Sequence, residues 1–274
     1  MNDAPDAPDL EAGSARRLAL LLEYDGTRFA GSQLQSNAPT VQSALEDAIA
    51  ATTGERSRVA FAGRTDAGAH ARGQVASFVS HSALKANVLR RALNARLAAD
   101  VVIRQAVDVE ADFDPRRDAV RRHYRYVIDN GETRPALDRG RAWHIGGALD
   151  VRSMAEAARL VIGRRDFAAF TAPAEPAGAS TVRDLQRFDV SRRGDAIRCD
   201  VIANAFLRHQ VRRLAGALVE VGRGKLTPDE YAGLLEGPPA SAGPTAPAHG
   251  LYLMRVEYER ELFGQGLDSG QRLC

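Results

Sequence analysis

The sequence predicts an α+β fold made of two halves, each with the element order β-α-β-β-α-β. Three observations predict it. Short runs that alternate or are continuously apolar are interleaved with longer runs at helical spacing. The order of these runs over residues 16–112 recurs over residues 113–260, although the two halves are not visibly similar in sequence. Stretches rich in Gly, Pro and Ala punctuate the runs and carry no periodicity of their own.

Each element has a local reason. Residues 17–25, "RLALLLEYD", read as a buried strand, and 41–54 carry apolar residues at helical spacing, with Thr40 placed to cap the start and Gly54 to end the last turn. Residues 57–63 and 74–80 read as strands, 83–98 as a helix and 101–109 as a strand. The second half then gives a strand at 120–128, a helix at 150–162, strands at 182–191 and 196–206, a helix at 208–222 and a strand at 251–258. Units of this ferredoxin-like type place helices on one face of an antiparallel sheet, and two such sheets can join edge to edge around a central cleft. Residues 1–15 are expected to be a disordered leader and 261–274 a tail. Two aperiodic segments, 171–181 and 236–250, read as surface loops or as loops that embrace a substrate.

Composition narrows the function classes. The 274 residues are 45% hydrophobic and 26% charged, which suits a globular chain with a sizeable core. No apolar run approaches the roughly 20 residues of a membrane span, and the start "MNDAPDAPDLEAGSA" is acidic where a signal peptide would be basic and then apolar. A soluble, cytoplasmic protein without membrane association is expected. Only Cys199 and Cys274 occur, so neither a disulfide framework nor a thiolate metal site is supported. Removing the four acidic charges of residues 1–15 from a net +2 leaves +6 on the rest. That basic body favours a polyanionic partner. The cations are 35 Arg and 2 Lys, a skew that GC-rich coding also produces, so the position of each arginine matters more than the total.

The segment "FAGRTDAGAHARGQVASF", residues 61–78, sets Asp66 and Arg64 in a glycine-punctuated loop between two strands. Three glycines from Gly63 to Gly73 permit backbone angles closed to other residues. "DAG" is ordinary turn chemistry, yet Arg64 beside Asp66 can hold a carboxylate ionised by pairing, which nucleophilic catalysis requires. His70 reads as structural or as a substrate contact.

"GRTDAGAHARGQV" closely resembles the "GRTDxGVHAxGQV" signature of the TruA family of tRNA pseudouridine synthases. The likeness extends along nearly the whole chain, through "LEYDGTRFAGSQLQ", "VRRHYRYVIDN", "DFAAF", "TVRDL", "ANAFLRHQVRRLAGALVEVGRG" and "GLYL". It implies the pseudouridine synthase fold, with Asp66 as the catalytic nucleophile, Arg64 as its arginine neighbour and Tyr124 as the tyrosine against the target uracil. Two departures stand out: Ser32 where many relatives carry Trp, and Ala69 in place of the usual Val.

The reaction so implied breaks the N1–C1′ bond of a uridine, rotates the base and rejoins it through C5, with no redox cofactor, energy donor or metal. One carboxylate suffices, and the uridine must leave its stack. Strand alternation puts Arg122, Tyr124 and Tyr126 on one face, where an aromatic can stack on a flipped base, and His123 and Arg125 on the other. Tyr126 reads as a sheet aromatic. On the helix from 208, Arg208, Arg212 and Arg213 are either a solvated face or phosphate contacts. Arg116, Arg117, Arg121, Arg164 and Arg165 are further candidates for phosphate contact. The resemblance places the target at positions 38–40 of the tRNA anticodon stem-loop and implies a homodimer. The competing readings are an RNA-binding module without catalysis and a small-molecule hydrolase with an aspartate nucleophile.

Overall fold

The computed structural model describes residues 13–172 and 180–264. Most of the leader, of segment 171–181 and of the tail, Cys274 included, lies outside the described residues. The first half runs β1 (Arg16–Tyr24), α1 (Val41–Thr53), β2 (Ala60–Phe61), β3 (His70–Ser80), α2 (Ala86–Asn94) and β4 (Val101–Val109). The second runs β5 (Ala119–Asp129), β6 (Trp143–His144), α3 (Val151–Leu160), β7 (Gly163–Asp166), β8 (Val182–Arg193), β9 (Ala196–Ala203), α4 (Gln210–Gly222), α5 (Pro228–Gly233) and β10 (Leu251–Tyr258).

Both halves join one ten-stranded sheet whose main path is β4-β1-β3-β10-β5-β9-β8-β7. Pairing within each half is antiparallel except for the two-residue β6, which runs parallel to the end of β5, and the seam between the halves is a short parallel contact of β3 with β10, Tyr252 opposite His70 and Leu253 opposite Ala71. The strand expected at 57–63 shrinks to β2, which pairs only with the far end of β3, Ala60 opposite Ser77 and Phe61 opposite Ala76. The near end of that edge is thereby open to β10, and β3 begins at His70 rather than 74. Residues 62–69 therefore arrive at the junction of the two halves.

Local signals account for most boundaries. Thr40 and Ser43 form a reciprocal capping box on α1, and Gly54 closes the helix in the left-handed region at φ 78°. The helix expected at 83–98 is only nine residues, and α4 starts at Gln210 rather than 208. The element α5 has a full start signal, Thr227 as cap, Pro228 in the first turn and Glu230 completing the box.

One contiguous apolar cluster links Leu18, Leu20 and Leu22 of β1 to Leu45 and Ile49 of α1 and Leu89 and Leu93 of α2, and continues through Tyr126 to Leu214 and Leu218 of α4. At roughly 25 cal/mol per Å² of apolar surface, such a cluster dominates folding and fixes the two halves as one frame. Cys199 is free and buried in it. No helix among the described residues is long and apolar enough to cross a membrane.

Candidate active site

The loop from Gly63 to Ala69 is gripped by the segment that follows β1. Thr65 donates its backbone N–H to the Ser32 hydroxyl at 2.9 Å and accepts at its carbonyl from the Ser32 N–H at 3.1 Å. Its own hydroxyl lies 2.7 Å from the Tyr24 phenol, and Gln74 donates to the Gly63 carbonyl at 2.8 Å. The departure at Ser32 has a structural consequence: a fully buried hydroxyl holds the residue before Asp66. Ala69, also buried, donates to the Asp66 carbonyl at 3.0 Å and closes the turn.

The glycines act differently from one another. Only Gly68 has a left-handed φ within the loop, at 80°. Gly73 instead permits close approach, since a Cβ there would stand 2.4 Å from the Met254 carbonyl across the seam. Gly26 does the same from the gripping segment, where a Cβ would meet the Ala69 carbonyl at 1.8 Å.

The loop turns Asp66 toward the second half of the molecule. Arg212 on α4 donates from Nη1 to Asp66 Oδ2 at 2.7 Å and from Nε to the Ala246 carbonyl at 2.7 Å. One planar guanidinium thus ties the carboxylate to the segment before β10. The pairing of Arg64 with Asp66 is therefore corrected. Arg64 is exposed and makes no hydrogen bond or ion pair among the described residues, because the carboxylate is turned to Arg212 of α4. Asp66 Oδ1 lies 3.6 Å from His209 Nε2. His209 is the residue before α4 and has φ 63°, a left-handed conformation that costs a non-glycine residue about 1–2 kcal/mol.

Tyr124 lies against the start of the loop. It is 7% exposed, meets Phe206 edge-on at 5.1 Å, and its hydroxyl would stand 3.3 Å from a Cβ at Gly63. Burial first, then the neighbouring Tyr24 and Asp66, push its phenol above the ordinary value, so it stays a protonated donor. Alternation along β5 holds: Arg122 is buried and donates to four backbone carbonyls, those of Ala62, Arg116, Ala119 and Asn204, while His123 and Arg125 on the other face share Asp200. Tyr126 is fully buried with its hydroxyl donating to the Pro247 carbonyl at 2.7 Å.

The three arginines near α4 separate. Arg212 sits at the carboxylate. Arg213 is 9% exposed and donates to the Ala240 carbonyl at 2.7 Å, which corrects its reading as a phosphate contact. Arg208 precedes the helix and is exposed. The other candidates, Arg116, Arg117, Arg121, Arg164 and Arg165, are all exposed, Arg117 and Arg121 with ion pairs to Asp114 and Glu257.

Segment 236–250 is a strap rather than a free loop. It is held to α4 by Arg213 at Ala240 and Arg212 at Ala246, to β5 by Tyr126 at Pro247, and to β3 by His70 at the His249 carbonyl, 3.1 Å away. A model of the family described as tRNA pseudouridine synthase matches residues 21–117 and 157–259, which include the loop of Asp66, the strap and Arg212. The chain belongs to that family.

Full-length relatives agree with this membership. A protein named tRNA pseudouridine synthase A from Geobacter sulfurreducens is 44% identical over 89% of this chain and 100% of its own. Proteins of the same name from Sinorhizobium medicae and Roseiflexus castenholzii are each 46% identical, over 88% and 90% of this chain and 99% and 92% of theirs. In this pseudouridine synthase the residue that sequence reasoning missed is His209, while Arg212, read from the sequence as a solvated-face or phosphate-contact arginine, is the carboxylate's partner. A signal existed for neither at short range, since both lie more than 140 positions from Asp66. Ser32 was flagged only as a departure, and its hydroxyl function appears once the loop folds over it.

Proposed function

We propose that Asp66 is the nucleophile with which this enzyme makes pseudouridine at positions 38–40 of the tRNA anticodon stem-loop. As a member of the family, the chain isomerises uridine to pseudouridine in tRNA. The observation that carries the residue assignment is the 2.7 Å contact of Arg212 with Asp66 Oδ2, which orients the carboxylate and leaves Oδ1 without a hydrogen bond among the described residues. The Asp66 side chain is 25% exposed, open to an entering nucleotide while paired with Arg212.

The chemistry follows from these groups. Oδ1 attacks C1′, or takes a ribose proton to give a glycal, as the N1–C1′ bond breaks. The uracil rotates against Tyr124, C5 bonds to C1′ as the Oδ1–C1′ bond breaks or, in the glycal route, as Asp66 returns the ribose proton to C2′, and the proton lost from C5 is balanced by the one gained at N1. Atoms and electrons balance within the substrate, so the reaction calls for no redox cofactor, energy donor or metal. Arg64, exposed beside the nucleophile, is suited to fill the gap left by the flipped uridine. Arg208, Arg116, Arg117, Arg121, Arg164 and Arg165 are the exposed candidates for phosphate contact. The active form is a homodimer whose two protomers hold one tRNA, and the enzyme works in the cytoplasm.

Incubating the purified protein with tRNA transcripts lacking modification, and mapping pseudouridine, tests this reading. Modification confined to positions 38–40 that vanishes in Asp66→Asn is expected. Product at other positions would overturn the site specificity, and a substantially active Asp66→Asn would overturn the nucleophile.

A further inference from the structure

The net reaction moves one proton from C5 to N1, while Asp66 is paired with Arg212 at Oδ2 and releases C1′ from Oδ1 as C5 attacks. Once C5 is bonded to C1′, the carbon that Oδ1 attacked at about 3 Å, the C5 proton lies within a few ångström of Asp66. A base that removes it must stand in the same small volume.

Few groups do. Arg212 has no acceptor and is committed to Asp66 and Ala246. Tyr124 keeps its proton because burial raises its phenol. His209 remains, with Nε2 3.6 Å from Oδ1, beyond hydrogen-bond length and so not consumed by the carboxylate. Its side chain is 25% exposed.

The backbone is built to hold it there. His209 keeps φ 63° with its neighbours tied down on both sides. Ala172 donates to the Arg208 carbonyl at 2.9 Å, Gln210 accepts from the Leu207 N–H at 2.9 Å, and Arg213 donates to the His209 carbonyl at 2.9 Å. Sparsely populated conformations at non-glycine residues concentrate at functional sites, and here the distortion aims an imidazole at the nucleophile. The charged groups that act on it are Asp66, 3.6 Å away, and the arginines Arg212, Arg208 and Arg213. Burial first, with the three arginines, holds the imidazole below its ordinary value against the pull of Asp66, which leaves it neutral and able to accept a proton.

We propose that His209 is a second catalytic residue, the base that takes the C5 proton after the base has rejoined the ribose. The C5–H bond breaks toward Nε2, its electron pair restores the C5–C6 double bond, and the imidazolium returns the proton to N1. The proposal rests on Asp66 being the nucleophile and adds the group that completes the turnover.

The test uses the full-length enzyme and tRNA transcripts carrying either uridine or 5-deuterouridine, under single turnover. His209→Gly removes the imidazole and adopts the left-handed backbone freely, so its Tm should match or exceed the parent's. Its rate should fall roughly 10²- to 10⁴-fold, the usual contribution of a positioned base, with tRNA affinity within a few-fold. Deuterium at C5 should slow it more than it slows the parent, and added imidazole should restore part of the rate. His209→Asn should show the same loss and the same enlarged isotope effect. A parental rate in His209→Gly would overturn the proposal. So would a slowed variant with an unchanged isotope effect and no response to imidazole, which would mean that His209 acts through Asp66. If instead Asp66→Asn stays active, the nucleophile assignment is what fails.

Discussion

Arg212 and Asp66, 146 positions apart, meet at 2.7 Å across the seam between the two halves. The same guanidinium reaches the strap at Ala246, so a single side chain aligns the carboxylate, α4 and the segment entering β10. Arg212→Gln should lower the single-turnover rate by about 10²- to 10³-fold, the scale for removing one preorganised donor, with tRNA affinity within a few-fold. Arg212→Lys should not restore it, because a single ammonium cannot copy the planar two-way contact. Loss of affinity at an unchanged rate would show that Arg212 serves phosphate instead.

Arg213 and Arg208 should part in a salt titration. Arg213→Gln removes a buried donor from Ala240 and should cost about 1–3 kcal/mol in denaturant unfolding while leaving the salt dependence of tRNA binding at its parental slope. Arg208→Gln should reduce the magnitude of the slope of log K against log salt by up to about one. The reverse pattern would reassign both.

Gly26→Ala tests the grip on the catalytic loop. Its Cβ would stand 1.8 Å from the Ala69 carbonyl, an overlap that backbone must relieve by moving. A destabilisation of about 1–3 kcal/mol is expected, together with a rate loss that persists at saturating tRNA, since Ala69 closes the turn that presents Asp66. A variant with parental rate and stability would show that the loop is not held from that side.

His70 makes stability depend on pH. Its Nδ1 accepts from the Gly26 N–H at 3.1 Å, so Nε2 carries the proton toward the Gly140 and His249 carbonyls at 3.0 and 3.1 Å. Burial first, opposed by Asp25 and the two carbonyls, lowers the imidazole's affinity for a second proton. The unfolded chain then binds more protons than the folded one below about pH 6.5, so the contribution of His70 is complete above that pH and is lost as pH falls toward the folded value. Urea unfolding at pH 7.5 and 5.5 should show a smaller loss on acidification in His70→Gln than in the parent. Equal losses would remove His70 as a cause.

Local chemistry made much of this protein legible in its sequence. The two-fold β-α-β-β-α-β order, the Thr40 and Gly54 caps and the alternation that buries Arg122, Tyr124 and Tyr126 all depend on neighbours a few residues away, and the motif around Asp66 carried the family. What the tertiary structure alone decided were relationships that cross the seam. Arg64, two positions from Asp66, was the natural partner by sequence, yet the carboxylate faces the other half, and Arg212 is brought to it by the short parallel pairing of β3 with β10. Arg213 could not be told from a surface arginine until the strap folded over it. The aim of His209 at Oδ1 arises from a left-handed residue held by hydrogen bonds to segments on either side. Periodicity and caps encode each element's own geometry; the partner of a charged side chain is set by which distant element packs opposite it.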